Sequence, residues 1–251
     1  MKHILAKQNV DRLAELAQAR VLLAFDFDGT LAPIVRTPGR AGMRTRTRLL
    51  LERLCSLYPC AVITGRSCED VQTRLPVATV KYVVGNHGLE PGNDLQRFER
   101  ETSAAAQELA RALTGARGIE IENKRYSLAV HYRRSLHKTR ARAAIQAAAT
   151  ALARPLRLIP GKLVVNVVPE GAPHKGDALT ALREQEGADR ALYVGDDVTD
   201  EDVFELAHPE RLLGIRVGSS RRSAARYYLR DQREIDVLLT RLCALRSDRR
   251  P

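Results

Sequence analysis

The chain has 251 residues, 44% hydrophobic and 28% charged, which suits a soluble globular fold of one large domain or two small ones. Lysine and arginine number 41 against 30 acids, for a formal charge of +11, but the basic residues are scattered. Tryptophan is absent and aromatics are only 4%, which argues against a nucleic-acid binder, and no apolar run approaches the roughly 20 residues that span a bilayer.

The basic balance therefore points to attraction of a small anion. Cys55, Cys60, Cys68 and Cys243 form no C-x-x-C pair, which fits a reduced, cytoplasmic protein. A monomer is expected.

Residues 1–20 carry Ile4, Leu5, Leu13, Leu16 and Ala17 at helical spacing and predict an amphipathic helix, with acids that exclude a signal peptide. VLLAF (21–25) is an apolar strand that runs into Asp26, Phe27, Asp28, Gly29 and Thr30. Residues 44–58 predict a helix, CAVI (60–63) a strand ended by Thr64-Gly65-Arg66, residues 67–75 a helix stopped by Pro76, and VKYVV (80–84) a third strand. From about residue 90 the order changes to helix (97–114), two strands, helix (137–153) and two strands. This stretch is bracketed by the turn-rich GNHGLEPGND and VPEGAPHKG. Strand and helix then alternate again: KGDALTALREQ (175–185) helical, ALYV (191–194) and GIRV (214–217) strands, RRSAARYYLR and EIDVLLTRLCAL helical. The pattern predicts a doubly wound, parallel α/β core (residues 1–88 and 171–251) with an inserted α+β domain at 89–170.

Four stretches of the core carry chemistry: Asp26 to Thr30, Thr64-Gly65-Arg66, Lys175-Gly176, and Gly195-Asp196-Asp197-Val198-Thr199-Asp200-Glu201. Three follow predicted strands, where open α/β sheets bind ligands, and the fourth opens a helix. Collected carboxylates with a lysine suit phosphoryl transfer from a monoester. A carboxylate attacks phosphorus, Mg²⁺ cancels the repulsion between two anions, and Lys175 adds fixed charge. Thr64 and the backbone N–H groups of the Gly29 turn would hold phosphate oxygens, while Asp28 would protonate the leaving alcohol and then activate water. Thr199 also fits a helix N-cap, Arg66 fits either a solvated helix start or a phosphate contact, and His174 belongs to the linker or senses the phosphate. His3, His137 and His208 are expected at the surface.

DFDGT, ITGR, the lysine and GDDVTDE resemble the four motifs of the haloacid dehalogenase superfamily of phosphatases. The resemblance implies Asp26 as nucleophile, Asp28 as acid/base, and Thr64 and Lys175 as phosphate holders. It also implies that Asp26, Asp196 and the Asp28 backbone carbonyl contact Mg²⁺, with Asp197, Asp200 and Glu201 behind them. A second aspartate, Asp28, favours a phosphatase over a dehalogenase.

In the insert, YSLAVHYR, IEIENK and GKLVVNVV each put polar residues on one face: Ser127, His131 and Arg133; Glu120, Glu122 and Lys124; Lys162 and Asn166. This is either the solvated face of an antiparallel sheet or a surface for a hydroxyl-rich anion. ENKRYSLAVHYR, GNHGLE and GKLVVNVVP…KG resemble the cap and hinge stretches of trehalose-6-phosphate phosphatases. That implies a cap that closes over the disaccharide, with Glu122, Lys124, His131 and Arg133 touching sugar or phosphate and His87 and Gly88 near the hinge. Gly29, Gly65 and Arg66 complete the expected phosphate contacts. Asn166 stands where many relatives carry glutamate, and an amide hydrogen-bonds sugar hydroxyls without a charge. Trehalose 6-phosphate is the expected substrate. Another glycosyl phosphate, or a sugar-phosphate binder without catalysis, is the alternative.

Overall fold

A computed structural model describes residues 1–76, 79–152, 154–161, 163–206 and 210–247. His208, Lys162 and the basic tail at 248–251 lie outside the described residues. The chain divides into two compact units, Met1–Gly88 with His174–Pro251, and Leu89–Pro173.

The first unit is built on seven strands: β1 (Lys2–His3), β2 (Val21–Phe25), β3 (Cys60–Ile63), β4 (Tyr82–Val84), β9 (Arg190–Gly195), β10 (Leu212–Val217) and β11 (Tyr227–Leu229). Their order is β1-β11-β10-β9-β2-β3-β4, and every pairing is parallel. All five residues of β2 are buried, because a central parallel strand is covered on both faces. The period of two divides them. Val21, Leu23 and Phe25 join the core under α1 (Val10–Gln18), α2 (Thr45–Cys55) and α8 (Ile235–Ser247). Leu22 and Ala24 join the core under α6 (Lys175–Gln185) and α7 (Glu201–Phe204). Each fully buried aliphatic or aromatic side chain contributes roughly 1.5–3 kcal/mol.

The order matters for function. From β2 the chain winds outward through β3, α3 (Cys68–Gln72) and β4, and it later returns through β9 on the other side of β2. The β2/β9 boundary is therefore the switch point at which such sheets bind ligands. Phe25 registers with Val62 and with Val194, so the segments after β2, β3 and β9 leave the sheet at one edge.

In the second unit, an antiparallel sheet runs β5 (Glu120–Asn123), β6 (Leu128–His131), β8 (Val164–Pro169), β7 (Leu156–Gly161). Leu128, Val130, Val165 and Val167 meet Ala105 and Leu109 of α4 (Leu95–Ala112) and Ala141, Ile145 and Ala149 of α5 (Lys138–Thr150) on one face.

Three expectations about these segments fail. RRSAARYYLR is not helical: Tyr227–Leu229 form β11, because Tyr227 pairs with Ile215 and Leu229 with Val217. Residues 1–20 do not form one helix either. Lys2 N–H donates to Arg226 O at 2.8 Å and Ile4 N–H to Tyr228 O at 3.1 Å, which draws the first residues into an edge strand. His3 is accordingly half-buried, at 2.8 Å from Glu234, not a surface residue.

Candidate active site

Asp26 and Asp28 sit on a turn closed by hydrogen bonds from Ala32 N to Phe27 O (2.8 Å) and from Gly29 N to Ala32 O (2.7 Å). Gly29 adopts φ +81°, and a Cβ there would lie 2.1 Å from Asp196 Oδ2. Glycine is needed twice, for the left-handed backbone and for the space Asp196 occupies. Asp26 is 5% exposed, and its N–H bonds Val194 O at 2.8 Å, which ties the β2 end to β9.

Lys175 begins α6. His174 caps that helix: its Nδ1 accepts from Gly176 N (3.1 Å) and Asp177 N (3.2 Å), while Asp177 Oδ2 accepts from His174 N at 3.0 Å. Lys175, 2% exposed, donates to Asp26 Oδ1 at 2.8 Å and to Asp200 Oδ1 at 2.7 Å. Asp200 is fully buried and also accepts from Tyr193 Oη at 2.6 Å and from Asp197 N at 2.9 Å. A Cβ on Gly195 would lie 2.2 Å from Asp200 Cγ, so a second glycine keeps this carboxylate in place.

One carboxylate oxygen each from Asp26, Asp196 and Asp200 lies within 4.8 Å of the others. Burial, partly offset by Lys175, pushes Asp26 up to about 7. Burial and then Asp26 and Asp200 push Asp196 up to about 9. For Lys175 burial works against the charge, but Asp200 and Asp26 outweigh it and hold the ammonium protonated.

Among the described residues, Asp196 Oδ1 is buried with no hydrogen-bond partner, whereas both oxygens of Asp200 accept protein donors. An unpartnered buried carboxylate oxygen beside another carboxylate is a hard-oxygen donor set for a divalent cation. The residues fit such an ion on the Asp26–Asp196 side. Asp200 serves as the anchor of Lys175.

The β3 end supplies Thr64, 1% exposed, whose Oγ1 accepts from Arg66 N at 3.2 Å. Arg66 grips Asp28 through two bonds of 2.6 and 2.7 Å and meets Asp70 at 2.5 Å. Burial opposes the Arg66 charge, yet Asp28 and Asp70 raise its pKa. Arg66 is thus not a solvated side chain but is held by two carboxylates. His87 is buried at φ +61°, and a Cβ on Gly65 would lie 2.4 Å from its ring. Arg216 holds the Asp196 carbonyl at 2.6 Å and the Asp197 carbonyl at 3.2 Å, and it pairs with Glu201 at 2.8 Å. Asp197 and Glu201 thus shape the loop that aims Asp196.

The first unit brings together Asp26, Asp28, Gly29, Thr64, Gly65, Arg66, His87, Lys175, Asp196, Asp197, Asp200 and Glu201 at one sheet edge. The insert residues are described within their own unit. On the face opposite its helices, Glu122 lies in register with Ala129 and Asn166, and Glu122 Oε2 is 2.8 Å from His131 Nε2. Asn166 is 7% exposed, Lys124 is half-buried and Arg133 exposed.

Tyr193, Asp70 and Arg216 escaped the sequence reading. A hydroxyl in the otherwise aliphatic ALYV strand was a signal for Tyr193, since a buried Tyr oxygen finds a partner. An arginine near the end of GIRV was a similar signal for Arg216. Asp70 carried none.

The family model described as trehalose-phosphatase matches residues 24–233. Trehalose 6-phosphate phosphatase RA3 of Zea mays is 30% identical, over 100% of this chain and 77% of its own. Probable trehalose-phosphate phosphatase J of Arabidopsis thaliana is 28% identical, over 96% of this chain and 72% of its own. Among solved structures, the C-terminal domain of the trehalose-6-phosphate phosphatase of C. albicans superposes with a TM-score of 0.79 at 22% identity, covering 94% of this chain and 98% of that one.

Proposed function

The chain belongs to the trehalose-phosphatase family, and from that premise we propose how its residues divide the hydrolysis of trehalose 6-phosphate to trehalose and phosphate. Asp26 attacks phosphorus and forms an aspartyl-phosphate as the ester bond to the sugar oxygen breaks. Asp28 gives its proton to the departing alcohol, then takes one from the water that cleaves the acyl phosphate and restores Asp26. Thr64 and Lys175 hold phosphoryl oxygens, and Asp200 and Tyr193 keep Lys175 aimed. Mg²⁺, held by Asp26, Asp196 and the Asp28 carbonyl, would screen the charge between nucleophile and phosphate and polarise the phosphoryl oxygens. Asp28 starts from an ion pair with Arg66, and an incoming phosphoryl group offers Arg66 a competing anion.

The observation that carries this reading is the buried Lys175 bonded to Asp26 and Asp200 beside an Asp196 oxygen with no protein donor. Acid quench of a single turnover with phosphate-labelled substrate tests it. Label on the peptide that contains Asp26 is expected, and label in free phosphate only, at every time point, overturns the covalent step.

Discrimination of the sugar falls to Leu89–Pro173, where Glu122, His131 and Asn166 share one sheet face. Because Asn166 is neutral, a related glycosyl phosphate is the second reading, and a substrate panel separates the two. The four unpaired cysteines suit a cytoplasmic setting, and no helix among the described residues is long and apolar enough to cross a membrane.

A further inference from the structure

The opposite edge of the seven-stranded sheet carries a cavity of about 450 Å³ that the phosphatase chemistry does not use. It lies where the strands begin: Lys2 opens β1, Arg190 opens β9, Leu212 opens β10 and Tyr227 opens β11. All these strands are parallel, so their starts share one edge while Asp26 and Asp196 follow the carboxyl ends of β2 and β9. The six residues of β9 alone separate the two edges by about 17 Å, at roughly 3.3 Å per residue.

Among the described residues, five cationic side chains line the cavity: Lys2, Arg12, Arg190, Arg211 and Arg226. Two acids, Glu15 and Glu210, oppose them, and Glu15 is engaged by Arg12 at 3.0 Å. Among the described residues, Lys2, Arg190, Arg211 and Arg226 make no ion pair within 4.0 Å, and Arg190 feels Asp189 only at longer range. Arg20, which precedes β2 at the same edge, behaves differently and pairs with Asp189 at 2.8 Å. The floor is apolar, with Leu16 buried and Leu213 and Tyr227 half-buried.

Cations in excess of acids around a concavity repel one another until an anion enters. Guanidinium forks match phosphoryl oxygens in a bidentate manner. The volume falls within the roughly 300–1,000 Å³ of small-molecule sites, and the floor offers a ring a face to lie on. Glu15 and Glu210 interrupt the basic lining, which disfavours a continuous nucleic-acid backbone. We propose that this cavity is a second ligand site, which takes a small phosphate-bearing polyanion away from the catalytic carboxylates.

Calorimetric titration of inorganic pyrophosphate into the full chain, without divalent cation, tests this. Wild type, Arg190→Gln/Arg211→Gln, Arg211→Gln/Arg226→Gln and Asp26→Asn are run in parallel. A saturable one-to-one site is expected, weakened about tenfold or more in each double variant and changed less than about twofold in Asp26→Asn. Both double variants should keep wild-type turnover of trehalose 6-phosphate. Failure to saturate, equal affinity in the folded double variants, or a loss confined to Asp26→Asn overturns the site. A short DNA duplex that binds these arginines more tightly than pyrophosphate overturns the small-ligand assignment.

Discussion

Gly29 and Lys175 show how single positions set this chemistry. Gly29 holds φ +81° and leaves room for the Asp196 carboxylate. An alanine there meets a left-handed penalty of about 1–2 kcal/mol and a Cβ overlap in addition. Gly29→Ala is expected to lose turnover and divalent-cation binding together, checked by phosphate release and by titration calorimetry. Lys175 bonds two buried aspartates, Asp26 and Asp200. Removing one partner from a buried charge set costs about 3–5 kcal/mol. In chelator, Lys175→Ala should lower unfolding stability by about that amount, read from the urea midpoint. Added Mg²⁺ should restore part of it by supplying positive charge to Asp26 and Asp196.

At the scale of elements, α6 delivers Lys175 because His174 caps it. His174→Ala removes the acceptor of two backbone N–H groups and is expected to cost about 1 kcal/mol. His174→Asp should recover most of the loss in thermal scans, since a carboxylate also accepts from the first turn. The strands that carry the site were legible from VLLAF, CAVI and ALYV, because a fully buried parallel strand leaves an unbroken apolar run. DFDGT and GDDVTDE were legible as a site because carboxylates at strand ends need a compensating charge. Other features were not legible, Asp70 beside Arg66 among them. Tyr227–Leu229 form a strand through pairing with β10 and β1, partners that local periodicity does not reveal. Asp200 was expected behind the metal-holding carboxylates, but its bond to Lys175, made as the short turn at Val198–Asp200 folds it back, could not be read from the spacing.

For the whole molecule, burial of the carboxylates links stability, pH and cation. Asp26 and Asp196 hold their protons up to about 7 and about 9 when folded, against 3.8 for the free side chain. Between these values the folded state binds more protons than the unfolded one, so cation-free stability falls as pH rises from about 4 to about 9. The stabilisation gained from Mg²⁺ should grow over the same window, as the cation replaces protons, and thermal scans across that range check both trends. A cation-free protein that becomes more stable as pH rises would contradict the assignment of Asp196. On the proposed reading the insert contributes selectivity and not chemistry. Lys124→Ala or Arg133→Ala should therefore impair trehalose 6-phosphate about tenfold or more in kcat/KM and leave a small aryl phosphate nearly unchanged. Equal losses on both substrates would place these residues outside sugar recognition. The most direct measurement of the central claim is phosphate release from trehalose 6-phosphate with Mg²⁺, beside sucrose 6-phosphate, glucose 6-phosphate and a mannosyl phosphoglycerate, with Asp26→Asn as the blank. A strong preference for the trehalose ester and no turnover by Asp26→Asn is the predicted result. Comparable rates on all four esters, or substantial residual activity in Asp26→Asn, would contradict it.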